Sequence, residues 1–300
     1  MPVGDLVDLQ NGLAHPAINL SALLVAGRGG LYMCIMKQWL PFIKSDPVVS
    51  VVRLSGTIST GGRGTLNDAS LAPLIEKAFT RGKPVAVALE VNSPGGSPVQ
   101  SSLIGARIRR LAEEKDIPVI AFVEDVAASG GYWLAAAADE IYADTSSVLG
   151  SIGVISASFG LHELLAKNGV ERRVYTAGNS KSMLDPFRPE NPEDVARLKE
   201  LLEDIHANFK EHVTARRQGK LVTDRDLFTG EIWLARKAIE MGLIDGIGHL
   251  KPHLQERFGK KVKLRRYGAR KGLLARFGTQ IVGDALHSVE EHAQFARFGL

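Results

Sequence analysis

The stretch IPVIAFVEDVAASGGYWLAAAA, residues 117–138, decides how this chain folds. Its first part, Ile117 to Val123, is a short apolar run that reads as a buried strand. Its last part is rich in alanine and carries no charge, too apolar for anything but an interior helix. Ser129 falls at the junction, at the positive end of that helix, where an anion is stabilised. Gly130 and Gly131 behind it have no Cβ, so another backbone can approach closely. The same serine also reads as an ordinary N-cap, and the surrounding motifs have to separate the two.

Working outward, Val48 to Leu54 is a β-branched run that predicts the first strand, Leu71 to Thr80 a helix, and Val85 to Val91 a second strand. That strand runs into the turn Asn92-Ser93-Pro94-Gly95-Gly96-Ser97-Pro98, after which Val99 to Glu114 returns as a helix. Beyond Ser129, Glu140 to Ala143 and the glycine-punctuated run Val148 to Ile155 read as strands, His162 to Asn168 as a helix and Arg173 to Thr176 as a strand. A long amphipathic helix begins at Asn191, with Val195, Leu198, Leu202, Ile205, Phe209 and Val213 as its packing stripe. Trp233 to Met241 predicts one more helix, stopped by Gly242. Strands alternating with helices imply parallel pairing with right-handed crossovers, an α/β class. The loop Gly61-Gly62-Arg63-Gly64 lacks the lysine and the spacing of a phosphate cradle.

Three hundred residues with 45% hydrophobic content supply ample core, and a net charge of +4 gives no reason to expect nucleic acid as a partner. The single cysteine, Cys34, rules out an internal disulfide framework. Residues 1–45 read as a peripheral arm placed on a membrane or on a neighbouring subunit, because no window reaches the roughly 18 apolar residues of a spanning helix. Nor does the acidic start fit a signal peptide. The expected location is cytoplasmic or peripherally membrane-associated. Residues 46–258 read as the α/β domain and 259–300 as a basic tail, and across this boundary Arg257, Lys260, Lys261, Lys263, Arg265, Arg266, Arg270 and Lys271 cluster with Glu256 as the only acid. The tail reads first as a solvated surface or subunit contact, with anionic lipid as the competing reading.

A serine hydroxyl needs a base. His162, His206 and His212 fall on amphipathic helices as surface or satisfied residues, and Pro252 argues against His249 and His253 as a metal pair on one helical face. No metal or cofactor is expected. Lys181, in the loop Ala177 to Phe187 after a predicted strand, is the alternative base, and it must be uncharged to act. On composition alone it reads as a solvated loop residue.

Four motifs occur here in the order found in the signal peptide peptidase A (SppA) family, which the chain resembles from about Val48 to about Gly248. They are the Asn92 to Gly96 turn, Ser129-Gly130-Gly131-Tyr132-Trp133, Leu149 to Val154, and the Gly178 to Phe187 loop. The resemblance implies a serine endopeptidase with a Ser-Lys dyad, acting without ATP on peptides such as signal peptides. It makes Ser129 the nucleophile, Lys181 the general base, Ser151 the hydroxyl that orients the lysine, and Gly96 an oxyanion-hole donor with the Gly130 N–H beside it. It also implies a ClpP/crotonase-like spiral of ββα units and a homo-oligomeric ring in which neighbouring subunits can complete the dyad. Two readings compete. A crotonase-type acyl-CoA hydratase or hydrolase would use a carboxylate base such as Glu124 or Asp125, and a non-catalytic ring scaffold would leave Ser129 as a helix cap.

Overall fold

The β-branched residues of Val48–Ser55 form β1, and β2 (Ala86–Ser93) and β3 (Val119–Ala128) lie beside it in parallel register. The computed structural model describes residues 46–60, 65–178, 180–268 and 295–298. The expected arm at 1–45, the glycine loop at 61–64 and the tail from 269 to 294 lie outside the described residues. Helix α1 (Asp68–Thr80) connects β1 to β2, and α2 (Pro98–Lys115) connects β2 to β3. Both begin on side-chain caps: Asn67 Oδ1 accepts from the Ser70 N–H at 2.9 Å, and Ser97 Oγ from the Gln100 N–H at 3.4 Å.

Strand β3 is longer than the predicted 117–123 because its charged middle finds partners. Glu124 meets Arg53 at 3.1 Å and Asp125 accepts from Asn92 Nδ2 at 2.5 Å, so the strand continues past them to Ala128. Two strands then share one edge of it: β4 (Glu140–Ala143) pairs with Ile120–Val123 and β5 (Val148–Gly150) with Val126–Ala128. The sheet divides at that point, and the end of β3 carries Ser129 clear of the lower half. The remaining elements are α3 (Gly130–Ala136), α4 (His162–Lys167), α5 (Pro192–Arg216), β6 (Ile232–Leu234), α6 (Ala235–Glu240), β7 (Gly246–Ile247), α7 (Leu250–Phe258) and β8 (Lys263–Tyr267). Among the described residues the sheet has eight strands, in the order β6-β5-β3-β2-β1-β8, with β4 branching from β3 and β7 pairing with β4.

Alternation along the strands makes two cores. Val52, Leu54, Val87, Leu89, Val91 and Ala121 face α1, α2 and α3, while Val49, Val51, Ala86, Ala88, Ile120 and Phe122 face Leu250 and Leu254 of α7. Every residue of α3 is buried, as its alanine-rich sequence requires, and the Tyr132 hydroxyl donates to the Leu243 carbonyl at 2.7 Å. Arg217, 1% exposed just past α5, donates to Asp245 at 2.7 Å and to the Gly242 carbonyl at 3.0 Å, locking α5 to the segment before β7.

Four local expectations change. The Val148 to Ile155 run is a strand only to Gly150, because Gly150 and Ser151 both take positive φ (100° and 50°) and turn the chain. Arg173 to Thr176 is exposed coil, with no strand of the described chain beside it. The start of the predicted 233–241 helix is instead β6, antiparallel to β5, and Trp233 covers Gly150. Finally, the basic stretch does not leave the fold at 258. Residues 263–267 form the edge strand β8 on β1, Lys263 pairs with Asp46 at 3.0 Å, Arg266 with the buried Glu90 at 2.5 Å, and Arg257 with Glu140 at 2.7 Å. Acids elsewhere in the sequence thus neutralise cations that had read as a free patch. Among the described residues, no helix is long and apolar enough to cross a membrane.

Candidate active site

Ser129 follows the last residue of β3 with φ 52° and ψ −123°, in a region that costs an L-residue about 1–3 kcal/mol. Its backbone N–H donates to the Gly150 carbonyl at 2.8 Å, and its own carbonyl accepts from the Trp133 N–H at 3.0 Å. The side chain makes no capping bond to α3. The serine is therefore held in a sharp, strained strand-to-helix turn with its hydroxyl making no bond to the helix, which sets the N-cap reading aside.

The Pro94 to Ser97 turn lies directly against this junction. Ile58 grips it on both sides, its N–H donating to Gly95 O at 2.8 Å and its carbonyl accepting from Ser97 N at 2.7 Å. In such a parallel bridge the N–H of the residue between, Gly96, faces the other way. Gly96 has φ 141°, and a Cβ there would stand 2.0 Å from the Ile58 carbonyl oxygen, so no larger residue fits. A Cβ on Gly130 would stand 2.4 Å from Ser101 Oγ and 3.4 Å from Gly96 N. The Gly96 and Gly130 backbones are therefore close neighbours beside Ser129, and among the described residues neither N–H meets an acceptor. Fully buried Ser101, which the sequence reading passed over, gives its hydroxyl to the Ser97 carbonyl at 2.9 Å and backs this corner.

Ser129, Gly96, Gly130 and Ser151 all line one cavity of about 430 Å³. Ser151 reaches it through its positive φ, with its N–H on the Glu231 carbonyl at 2.8 Å. Trp133, Ile205 and Phe209 supply apolar wall, joined by Val154, Ile155 and Phe298. His206 of α5 approaches the Ile152 carbonyl at 3.2 Å, tying the long helix to the Ser151 turn. Glu124 and Asp125, the carboxylates a crotonase-type base would use, are not among the described residues that line this cavity. His249 meets Asp144 at 2.8 Å and His253 packs on the Tyr142 ring at 4.0 Å.

His212 fixes the cavity's tryptophan. Its ring stacks on Trp133 with centroids 4.4 Å apart, and its Nε2 lies 3.1 Å from the Trp133 carbonyl oxygen. Burial pushes this imidazole down to about 4, whereas an unfolded chain takes up the proton near 6.5. The unfolded state thus binds the proton first as pH falls. Stability from the neutral ring is complete above pH ~6.5 and is lost on the way down to ~4, by up to about 3 kcal/mol. Melting curves across that window should fall more steeply for the parent than for His212→Gln, and equal slopes would count against this account.

Lys181 is exposed and is not among the residues lining the cavity. Its loop is a run of turns in which Lys181 N donates to Gly178 O at 3.2 Å, Asp185 pairs with Arg172 at 3.2 Å and Ser180 bonds Arg197 of α5. The surrounding segment carries large apolar side chains in solvent, with Ile155 68%, Phe159 82% and Tyr175 90% exposed. Leu198, Leu202 and Ile205, in the first part of the α5 stripe, are only half-buried, whereas Phe209 and Val213 enter the core. The described chain thus groups four of the five expected site residues and leaves the lysine outside.

A model of peptidase family S49 matches residues 112–264, just over half of the chain. The chain belongs to peptidase family S49. The S49 match contains Ser129, Ser151 and Lys181, and begins after the Pro94 to Ser97 turn. The mostly parallel α/β sheet is the ClpP-like arrangement of this serine-peptidase family. The S49 chain is 50% identical over 287 residues to a protein of Brucella abortus named Na(+)/H(+) antiporter NhaA, an overlap of 89% of this chain and 39% of that protein. It is 33% identical over 202 residues to the chloroplastic serine protease SPPA of Arabidopsis thaliana, covering 67% of this chain and 29% of that one. The chain thus spans under half the length of these relatives. A solved structure of a mutant of the membrane-bound stomatin-specific protease 1510-N aligns with TM-score 0.40 and 14% identity, over 75% of this chain and all of that one.

Proposed function

We propose that this S49 chain is a serine endopeptidase that cleaves apolar peptides of the signal-peptide type through an acyl-enzyme on Ser129, with Lys181 as the base. The observation that carries the proposal is the strained Ser129, whose side chain leaves the helix uncapped beside the Gly96 and Gly130 backbones, whose N–H groups have no acceptor among the described residues. Ser129 Oγ attacks the scissile carbonyl while its proton passes to Lys181 Nζ. The Gly96 and Gly130 N–H groups hold the developing oxyanion, a contribution of about 3–4 kcal/mol per donor. The carbon–nitrogen bond then breaks, the leaving amine takes the proton from Lys181, and water hydrolyses the ester by the reverse relay. Ser151 orients the amine. Trp133, Phe209, Val154 and Ile155 suit apolar side chains next to the bond cut.

The lysine comes from a neighbouring subunit of a homo-oligomeric ring. Its exposure, and the exposed apolar segment around it, support a surface that packs against another copy. The Brucella name is not carried over, because the segment shared with that protein contains the whole S49 match. A serine-directed acylating probe tests the reading. Ser129 should be labelled in the parent and not in Lys181→Ala, whereas equal labelling of both would remove the lysine from the mechanism.

A further inference from the structure

The turn Phe295 to Phe298 sits at the catalytic cavity. Phe295 and Phe298 pack on Val126, Ala128 and Val148, on the sheet face opposite α3, one residue before the nucleophile. The Phe298 N–H donates to the Phe295 carbonyl at 2.9 Å, closing the turn. Phe298 and Arg297 then both line the cavity that holds Ser129. Among the described lining residues, Arg297 is the one charged side chain. It is exposed at the cavity mouth, and among the described residues it has no carboxylate partner. An apolar slot with a single unpaired cation at its rim selects by charge as well as by hydrophobicity.

The geometry points to Arg297 as a specificity-determining residue, held in place by Phe295 and Phe298, that favours peptides with a carboxylate close to the scissile bond. This rests on the serine-peptidase reading and adds a substrate class to it. The carboxylate has two sources, an Asp or Glu side chain or the free C-terminus of a short peptide. A guanidinium takes either in the same forked geometry. Because the cation is exposed, its preference is modest at low salt and is screened as ionic strength rises.

The test uses the full chain and a set of C-terminally amidated apolar peptides in which Glu, Gln or Lys is scanned through each position flanking the cut. A second arm compares the free-acid and amide forms of the Gln peptides. At one position kcat/KM for Glu should exceed that for Gln by about fivefold at low salt, with Lys below both. A preference confined to the free acids assigns the carboxylate to the peptide terminus. Arg297→Glu should invert the order, and about 0.5 M salt should flatten it. Phe298→Ala, which unseats the turn without changing charge, should flatten the order as well. Hydrolysis with the same charge ratios in parent and Arg297→Glu overturns this inference alone. No Ser129-dependent hydrolysis of any peptide overturns the serine-peptidase reading and this inference with it.

Discussion

Ser129→Ala should lower kcat by about four to six orders of magnitude while leaving the folded protein intact. Both halves follow from the geometry. The hydroxyl makes no capping bond to the helix that follows, so removing it orphans no partner and should change stability by less than about 0.5 kcal/mol. The loss falls on bond formation, since among the lining hydroxyls Ser129 alone follows β3 on a strained turn beside the Gly96 and Gly130 backbones. Ser129→Gly sharpens the test, since glycine adopts φ 52° without penalty. That variant should be equally inactive, yet about 1 kcal/mol more stable than Ser129→Ala. Peptide hydrolysis measured beside thermal melting gives both numbers. Substantial activity left in the alanine variant, with Ser151 intact, would move the nucleophile away from Ser129.

Mixing two inactive variants should restore activity. Ser129→Ala supplies subunits with a competent lysine, and Lys181→Ala supplies subunits with a competent serine. If each site takes its lysine from the next subunit round a ring, random assembly of equal amounts makes about a quarter of the sites whole. The gain over either parent is large because each parent alone has no complete dyad. The expectation comes from Lys181 being exposed on a loop that is not part of the cavity wall, within a segment whose apolar side chains face solvent. Subunit exchange has to be shown independently, by mass or by fluorescence transfer. Exchange without recovery would place the serine and the lysine of each site in one subunit.

Much of the fold was legible along the chain because it follows from periodicity and punctuation. Val48 to Leu54 and Val85 to Val91 are short apolar runs, and the amphipathic stretches that follow each of them read as helices that the structure extends back to caps at Asn67 and Ser97. Alanine-rich α3 could only be interior. What failed to read correctly depended on partners distant in sequence. Glu124 and Asp125 look like the end of a strand until Arg53 and Asn92 are placed beside them. Trp233 and Leu234 look helical until Gly150 offers Trp233 a surface without a side chain. Lys263 to Tyr267 looks like a solvated tail until β1 offers an open edge.

The site divides in the same way. The sequence by itself determined the α/β class, the serine at a strand-to-helix junction and the glycine turn between the second strand and its helix, because residue type and local spacing dictate these whatever lies around them. Only the tertiary structure decided that the serine is strained and uncapped, that the Gly96 turn packs against Gly130 beside it, and that Arg297 and Phe298 arrive at the same cavity from the other end of the chain. Such meetings depend on packing between segments far apart in sequence, and no local pattern encodes a distance across the sheet.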